Sequence, residues 1–369
     1  MKVAIVHDFL NQYGGAERVL DALHEAFPDA PIFTSIFLPA NFPPRFASWD
    51  IRTSFMQRLP WLRSHFKTYL PLYPLAFAQV DVRGFDVILS SSSAFAKGVR
   101  IPKGARHLCY CYTPMRFVWD REKYLRNEPM PKVIKPLLAV LLAALKQWDL
   151  YTSRRVDLFV AISAHIQQRI GRAYGVGSEI IYPPVEVESI QPGGQPGDYY
   201  LVVSRLTPYK QIELAIQACE ALGRPLKVVG KGPHEGTLRR LAGSHTQFLG
   251  GVSFDELKGL LAGARAFIFP GEEDFGIAPV EAMAAGRPVI ALGSGGALET
   301  VVDGQTGILF PEPSVANLMG AIQQFETRSF DAQQIRRQAE RFSRGAFVQR
   351  IRARVEQLAA GRDPDVPPG

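Results

Sequence analysis

Cysteine is scarce in this chain. Cys109, Cys111 and Cys219 are the only three in 369 residues, too few for a disulfide framework and in keeping with a reducing cytoplasm. Cys109 and Cys111 alternate along an apolar run and so share one face of a strand; no further ligand follows at metal spacing, and no metal site is expected. No apolar run reaches the roughly 18 residues a spanning helix needs. The longest, PLLAVLLAAL within 135–148, fits a core helix or a membrane-contacting one. Met1-Lys2 leads straight into an apolar strand with no signal peptide, which implies a soluble or peripheral protein. The three spaced glycines of a dinucleotide fingerprint are missing, so no dinucleotide cofactor is expected. Zinc-finger, basic-zipper and RNA-binding motifs are also missing, which excludes nucleic acid as the expected partner.

What is present is a globular α/β pattern. Apolar residues make up 47% and charged residues 21%, and the length allows two domains, each with its own core. Apolar strands at 2–9, 32–37, 85–91, 107–112 and 156–162 alternate with helical segments, the pattern of a parallel, doubly wound sheet. A second set follows at 199–205, 226–230, 247–250, 264–269, 288–291 and 307–310. Between them Pro183, Pro184 and then the Pro- and Gly-rich run 191–197 read as a linker. This places one domain at 1–185 and another at 186–341, with a helix at 342–360 and a frayed tail beyond it. Asp363-Pro364-Asp365 in that tail is not a metal motif.

Charge is unevenly shared. Residues 1–185 carry 23 lysines and arginines against 14 acidic residues, while the remainder carry 19 against 21. A basic half suits an anionic lipid or an acidic acceptor. Segment 52–80 interleaves Trp61, Phe66, Tyr69, Tyr73 and Phe77 with Arg58, Arg63, His65 and Lys67. It reads either as an interfacial helix on a lipid surface or as helices packing their aromatics into the first domain.

Three strand-to-helix turns carry the chemistry. His7 and Asp8 end the first strand, and Gly14-Gly15 then precede a helix over 16–27; such glycines let the backbone approach a ligand closely. In SRLTPYK, Arg205 and Lys210 place two cations near a strand tip and a helix start, which is what a diphosphate leaving group needs. The run EEDFGIAPVEAMAAGRPVIA ends a strand in an acidic loop and opens a helix, with Pro279 tolerated in its first turn. A helix start offers free N–H groups and partial positive charge, and phosphate is its usual guest. Glu273 and Glu281, eight positions apart around it, would repel a phosphate but accept hydrogen bonds from hydroxyls. One phosphate seat between two hydroxyl acceptors outlines a nucleotide-sugar site.

That last run resembles the Glu-seven-residues-Glu segment of the retaining family-4 glycosyltransferases, and the resemblance extends from VAIVHDFLNQYGGAERVL through TPMRFVWD and SRLTPYK to GGALETVVDGQTGILF. It implies a GT-B fold, two Rossmann-like doubly wound domains facing across a cleft, with the 342–360 helix crossing back to the first. It also implies a donor site, with Glu273 on the donor sugar, Glu281 on the ribose, and Arg205 and Lys210 on the diphosphate. Phe275, Gly276, Ile277 and Ala278 would form the phosphate-binding helix start. Gly14 and Gly15 would reach the diphosphate, and Gly230 and Lys231 would border the nucleobase.

The stretch Cys111-Tyr112-Thr113-Pro114-Met115-Arg116 is similar to a mannosyltransferase-like branch that reads Cys-His-Thr-Pro-Met-Arg, with Tyr112 in place of a sugar-site histidine. A tyrosine can hydrogen-bond a donor hydroxyl but does not become a cation near neutral pH. The branch implies GDP-mannose as donor, no cofactor and no metal, and front-face attack with retention. It also implies a glycan or polyprenyl-diphosphate-linked acceptor of surface polysaccharide or lipopolysaccharide assembly, and a cytoplasmic protein in peripheral contact with an anionic membrane. The alternatives are a UDP-sugar donor, a phosphorylase- or epimerase-like enzyme, and a non-catalytic nucleotide-sugar-binding protein.

Overall fold

The computed structural model describes residues 1–62, 66–121 and 134–362. The chain forms two compact units, one of Met1–Tyr182 together with the segment from Phe347 onward, the other Pro183–Ala346. Each is built on a parallel sheet.

In the first unit the strands are β1 (Val3–His7), β2 (Ile32–Thr34), β3 (Ile51–Thr53), β4 (Val87–Ser92), β5 (Arg106–Cys111), β6 (Leu158–Ala161) and β7 (Glu179–Ile180). Their order across the sheet is β3-β2-β1-β4-β5-β6-β7, all neighbours parallel. The central strands are buried along their whole length, which is why β6 and most of β1 read as continuous apolar runs rather than alternating ones, while β4 passes from Val87-Ile88-Leu89 into buried serines. Helix ends follow local capping rules. Ser163 caps Ala164–Tyr174 through the amide of Ile166, and that helix stops at Gly175, whose φ of 68° is left-handed.

The aromatics of 52–80 pack inward. The segment forms β3, short 3-10 turns and the helix Tyr73–Ala78, with no continuous interfacial helix among its described residues. Tyr73 and Phe77 are buried, and Tyr73 stacks on Phe95 with ring centroids 4.8 Å apart. Burial of large rings outweighs an amphipathic surface role for most of this stretch. Phe55 and, at 77% exposed, Trp61 are exceptions. Arg63 and His65, and the side chain of Lys67, lie outside the described residues, as does Asp363-Pro364-Asp365.

The apolar run in 135–148 belongs to the helix Ile134–Ser153, which buries Leu142, Leu145 and Asp149 while leaving Leu137 and Val140 exposed. The Asp149 carboxylate pairs with the buried Lys97 ammonium and accepts from Trp119 Nε1 at 2.8 Å and Tyr174 OH at 2.9 Å. So satisfied, the buried charge pins the helix to the loop after β4; removing one partner would leave an uncompensated charge. No helix of the described residues is long and apolar enough to cross a membrane.

The second unit has β8 (Tyr200–Val203), β9 (Leu226–Val229), β10 (Thr246–Gly250), β11 (Ala266–Phe269), β12 (Val289–Leu292) and β13 (Gly307–Phe310), in the order β10-β9-β8-β11-β12-β13. Tyr200, Val202, Val228, Ile268, Ile290 and Phe310 form its core with Ile212, Ile216 and Ile322. Of the expected linker, Pro183 marks the division between the units, whereas the run 191–197 is tied to this one. Gly193 donates its amide to Ala285 O, Gly197 donates to Gly263 O, and Arg287 holds the Gly194 carbonyl. The helix Arg344–Ala359 carries the chain into the first unit, where Phe347 meets Tyr110 edge-on at 5.5 Å and Arg354 pairs with Glu179 at 2.8 Å.

Candidate active site

In a parallel sheet every strand ends on the same side, so loops distant in sequence converge at one edge. In the second unit that edge gathers the sequence-predicted residues 205, 210, 230, 231, 273 and 275–278. After β8 the chain makes the 3-10 turn Pro208–Lys210, then Gln211 takes a left-handed φ of 53° before the helix Ile212–Leu222. Lys210 is therefore the last residue of a tight turn rather than the first of a helix, and its ammonium pairs directly with the Glu273 carboxylate. Arg205 is exposed, with no carboxylate partner among the described residues.

The acidic loop after β11 is held from both sides. A Cβ on Gly271 would come within 2.7 Å of Lys210 O, so the two loops touch backbone to backbone. On the other side Gly296 donates its amide to Glu273 O at 2.8 Å, and Ser294 Oγ donates to Glu272 Oε2 at 2.7 Å. Gly276, φ 89°, turns the chain into the helix Ile277–Ala284. No side chain caps that helix, so its first-turn amides are left for another partner, apart from the one Pro279 lacks. Phe275 is buried against Phe342, and Glu281 is buried one turn inside the helix.

After β9, Lys231 O accepts from the Leu206 amide at 3.1 Å, and Gly230 donates to Gly250 O at 2.7 Å. The Lys231 side chain runs along Gly250 and Gly251 at the end of β10. These loops thus share one rim with Lys210 and Glu273. From the sequence the segment from Gly295 onward stands out as part of the family resemblance. That Ser294 and Gly296 clamp the acidic loop is missed, because nothing local in either segment marks the contact.

In the first unit, Gly14 precedes the helix Gly15–Ala26, and its amide is taken by Glu17 Oε2 at 2.8 Å. Glu17 is the helix's third residue, the capping-box position, so its role could have been read from GGAE. Asp8, a strand-tip candidate, is committed internally: its carboxylate accepts the amides of Ser93, Ala94, Phe95 and Ala96 at 2.6–2.9 Å. Tyr112 OH lies 2.7 Å from Ser91 Oγ and donates to Ala16 O at 3.0 Å. Burial pushes its phenol well above the ordinary tyrosine value, with Glu17 and Asp8 adding to the rise and the Ser91 hydrogen bond opposing it. Tyr112 therefore acts as a neutral hydrogen-bonding group. Among the described residues no three His, Cys, Asp or Glu side chains converge as a metal site.

Residues 13–189 match the family described as Glycosyltransferase Family 4, and residues 190–342 match Glycosyl transferases group 1. A GDP-mannose-dependent alpha-(1-6)-phosphatidylinositol monomannoside mannosyltransferase of Mycobacterium tuberculosis is 32% identical over 200 residues, 45% of this chain and 51% of that protein. The corresponding Mycolicibacterium smegmatis protein is 31% identical over 198 residues, 45% of this chain and 52% of that one. These matches span about half the length of those relatives. Among solved structures, sucrose-phosphate synthase from Thermosynechococcus elongatus superposes with a TM-score of 0.74 at 19% identity, covering 98% of this chain and all of that one. Anabaena HepE, solved in complex with UDP-glucose, gives 0.71 at 17% identity over 98% and 100%. With two adjoining family matches running from residue 13 to residue 342 over a pair of Rossmann-like parallel sheets, the chain belongs to the family-4, group-1 glycosyltransferases of the GT-B fold.

Proposed function

We propose that this protein transfers mannose from GDP-mannose, with retention, to a glycan or polyprenyl-diphosphate-linked acceptor in surface polysaccharide assembly. The observation that carries the reading is the meeting of Lys210, Glu273 and the uncapped helix start at Gly276 on one rim. The bond to break joins the anomeric carbon to a diphosphate oxygen, so negative charge builds on the leaving group. Arg205, Lys210 and the amides of Ile277 and Ala278 stabilise that charge, so no metal or cofactor is needed. Loss of one such contact should raise the barrier by about 3 kcal/mol. Glu273 orients the sugar by its hydroxyls and Glu281 accepts from the ribose. Front-face attack leaves the departing phosphate to take the acceptor's proton. GDP-mannose is favoured by the mycobacterial relatives, which are described as GDP-mannose-dependent mannosyltransferases.

A thermal-shift panel of GDP, UDP, GDP-mannose and UDP-glucose, with and without EDTA, tests the donor. A ligand at 100 times its dissociation constant adds about 2.7 kcal/mol of stability. Stabilisation by the guanosine compounds alone, unchanged by EDTA, is expected; stabilisation by the uridine compounds alone would replace the donor. With the donor known, Glu273→Gln should lower turnover by about 10²-fold through lost positioning. Full turnover in that variant would remove Glu273 from its role.

A further inference from the structure

Adjacent strands β1, β4 and β5 bring three side chains into line beneath the Gly14-Gly15 turn, with His7 opposite Ser91 in the sheet and Tyr112 just past the end of β5. Only one direction satisfies every hydrogen bond in the line. The Ala16 carbonyl can only accept, so Tyr112 spends its single proton there, at 3.0 Å. Ser91 Oγ, 2.7 Å from the Tyr112 oxygen, must then donate to it. With its own proton spent, Ser91 must accept from His7 Nδ1, 2.9 Å away. His7 and Ser91 are 2% and 0% exposed, so water cannot repair a reversed chain. The other ring nitrogen, Nε2, lies 3.7 Å from Glu17 Oε1, and Glu17 Oε2 accepts the Gly14 amide.

From this geometry we infer that His7 is a positioning residue for the Gly14-Gly15 turn, acting through Ser91 and Tyr112 on the Ala16 carbonyl and alongside Glu17 on the Gly14 amide. The Ala16 carbonyl shares a rigid peptide plane with the Glu17 amide, so fixing one aims the other. Glu17 N–H is a first-turn amide of a 12-residue helix, the kind of group that meets an anionic ligand. The chain thus sets the aim of that amide from below. Its bearing on catalysis rests on the proposed glycosyl transfer and on the contact with the donor's diphosphate that the family resemblance implies for this turn.

The test reads the chain first and its consequence second. In full-length protein with ring-15N histidine, His7 should carry a proton on Nδ1, the nitrogen left bare in the major neutral tautomer of free histidine; loss of the signal in His7→Gln assigns it. Ser91→Ala should return the ring toward the Nε2–H tautomer. An Nε2–H ring in the native protein, or a tautomer indifferent to Ser91→Ala, overturns the inference. Tyr112→Phe should raise KM for the donor about tenfold, the loss of one hydrogen bond, with kcat little changed. An unchanged KM overturns the positioning role. If the native protein binds no nucleotide sugar while His7 shows the Nδ1–H tautomer, the donor reading fails and the hydrogen-bond chain stands.

Discussion

One buried imidazole sets an acid limit for the first unit. His107, on β5, is fully buried, with Nε2 2.8 Å from Ser90 Oγ. Burial pushes it down to about 4, against the opposing influence of Asp157. The folded protein therefore prefers the neutral ring, and the resulting stabilisation is complete above the ordinary value near 6.5. It is lost as pH falls from 6.5 through about 4, a span worth about 3 kcal/mol. Urea midpoints at pH 7.5 and pH 4.5 should move apart less in His107→Gln than in the native protein. An equal spread in both would place the acid sensitivity elsewhere. Side chains such as Lys210 and Glu273 were legible from their motifs, because those residue types serve a recognisable chemistry. Their mutual ion pair was not, because it depends on β8 and β11 being neighbours in the sheet. The internal use of Asp8 and Tyr112 was illegible for the same reason: their partners, the chain just past β4 for Asp8 and Ser91 and Ala16 for Tyr112, lie on elements distant in sequence.

At the scale of elements, the turn after β12 acts as a clamp on the acidic loop. Gly295 has a left-handed φ of 59°, and a Cβ there would run into Glu273 O; a Cβ on Gly296 would run into the backbone of Phe275. Gly296→Ala cannot keep the 2.8 Å bond to Glu273 O without moving the loop that carries Glu273. Turnover should fall by about 10²-fold, as expected for a misplacement of order 1 Å. Far-ultraviolet circular dichroism should stay native, since the sheet beneath is not touched. A variant with native turnover would show that the loop holds its place without the clamp. The buried strands were readable as apolar runs because both faces of each sheet are covered. The edge strands β3 and β7 went unread, being three and two residues long with little burial to pattern them. The aromatic stretch 52–80 left two readings open because rings suit a lipid surface and a core equally well. Only the partners of Tyr73 and Phe77 decide between them.

At the scale of the whole chain, the division into two α/β units was legible from two runs of alternating strands and helices. Of the expected linker, Pro183 falls at the division between the units, whereas 191–197 does not, because composition does not show that Arg287 pins Gly194. Net charge is the remaining whole-chain signal. The basic excess lies within residues 1–185, whose described part also exposes Trp61, Leu137 and Val140. If that half meets an anionic bilayer, each basic residue near the surface contributes about 1 kcal/mol, and only within a Debye length. That length shrinks from about 30 Å at 0.01 M salt to about 8 Å at 0.15 M and about 3 Å at 1 M. Co-sedimentation with vesicles containing phosphatidylglycerol should therefore be strong at low salt and mostly lost by 1 M, with little binding to neutral phosphatidylcholine at any salt. Binding that persists at 1 M would assign the contact to inserted apolar side chains, and Trp61→Ala should then weaken it. Equal binding to neutral and anionic vesicles would remove charge from the account, leaving the basic half to serve the acceptor alone.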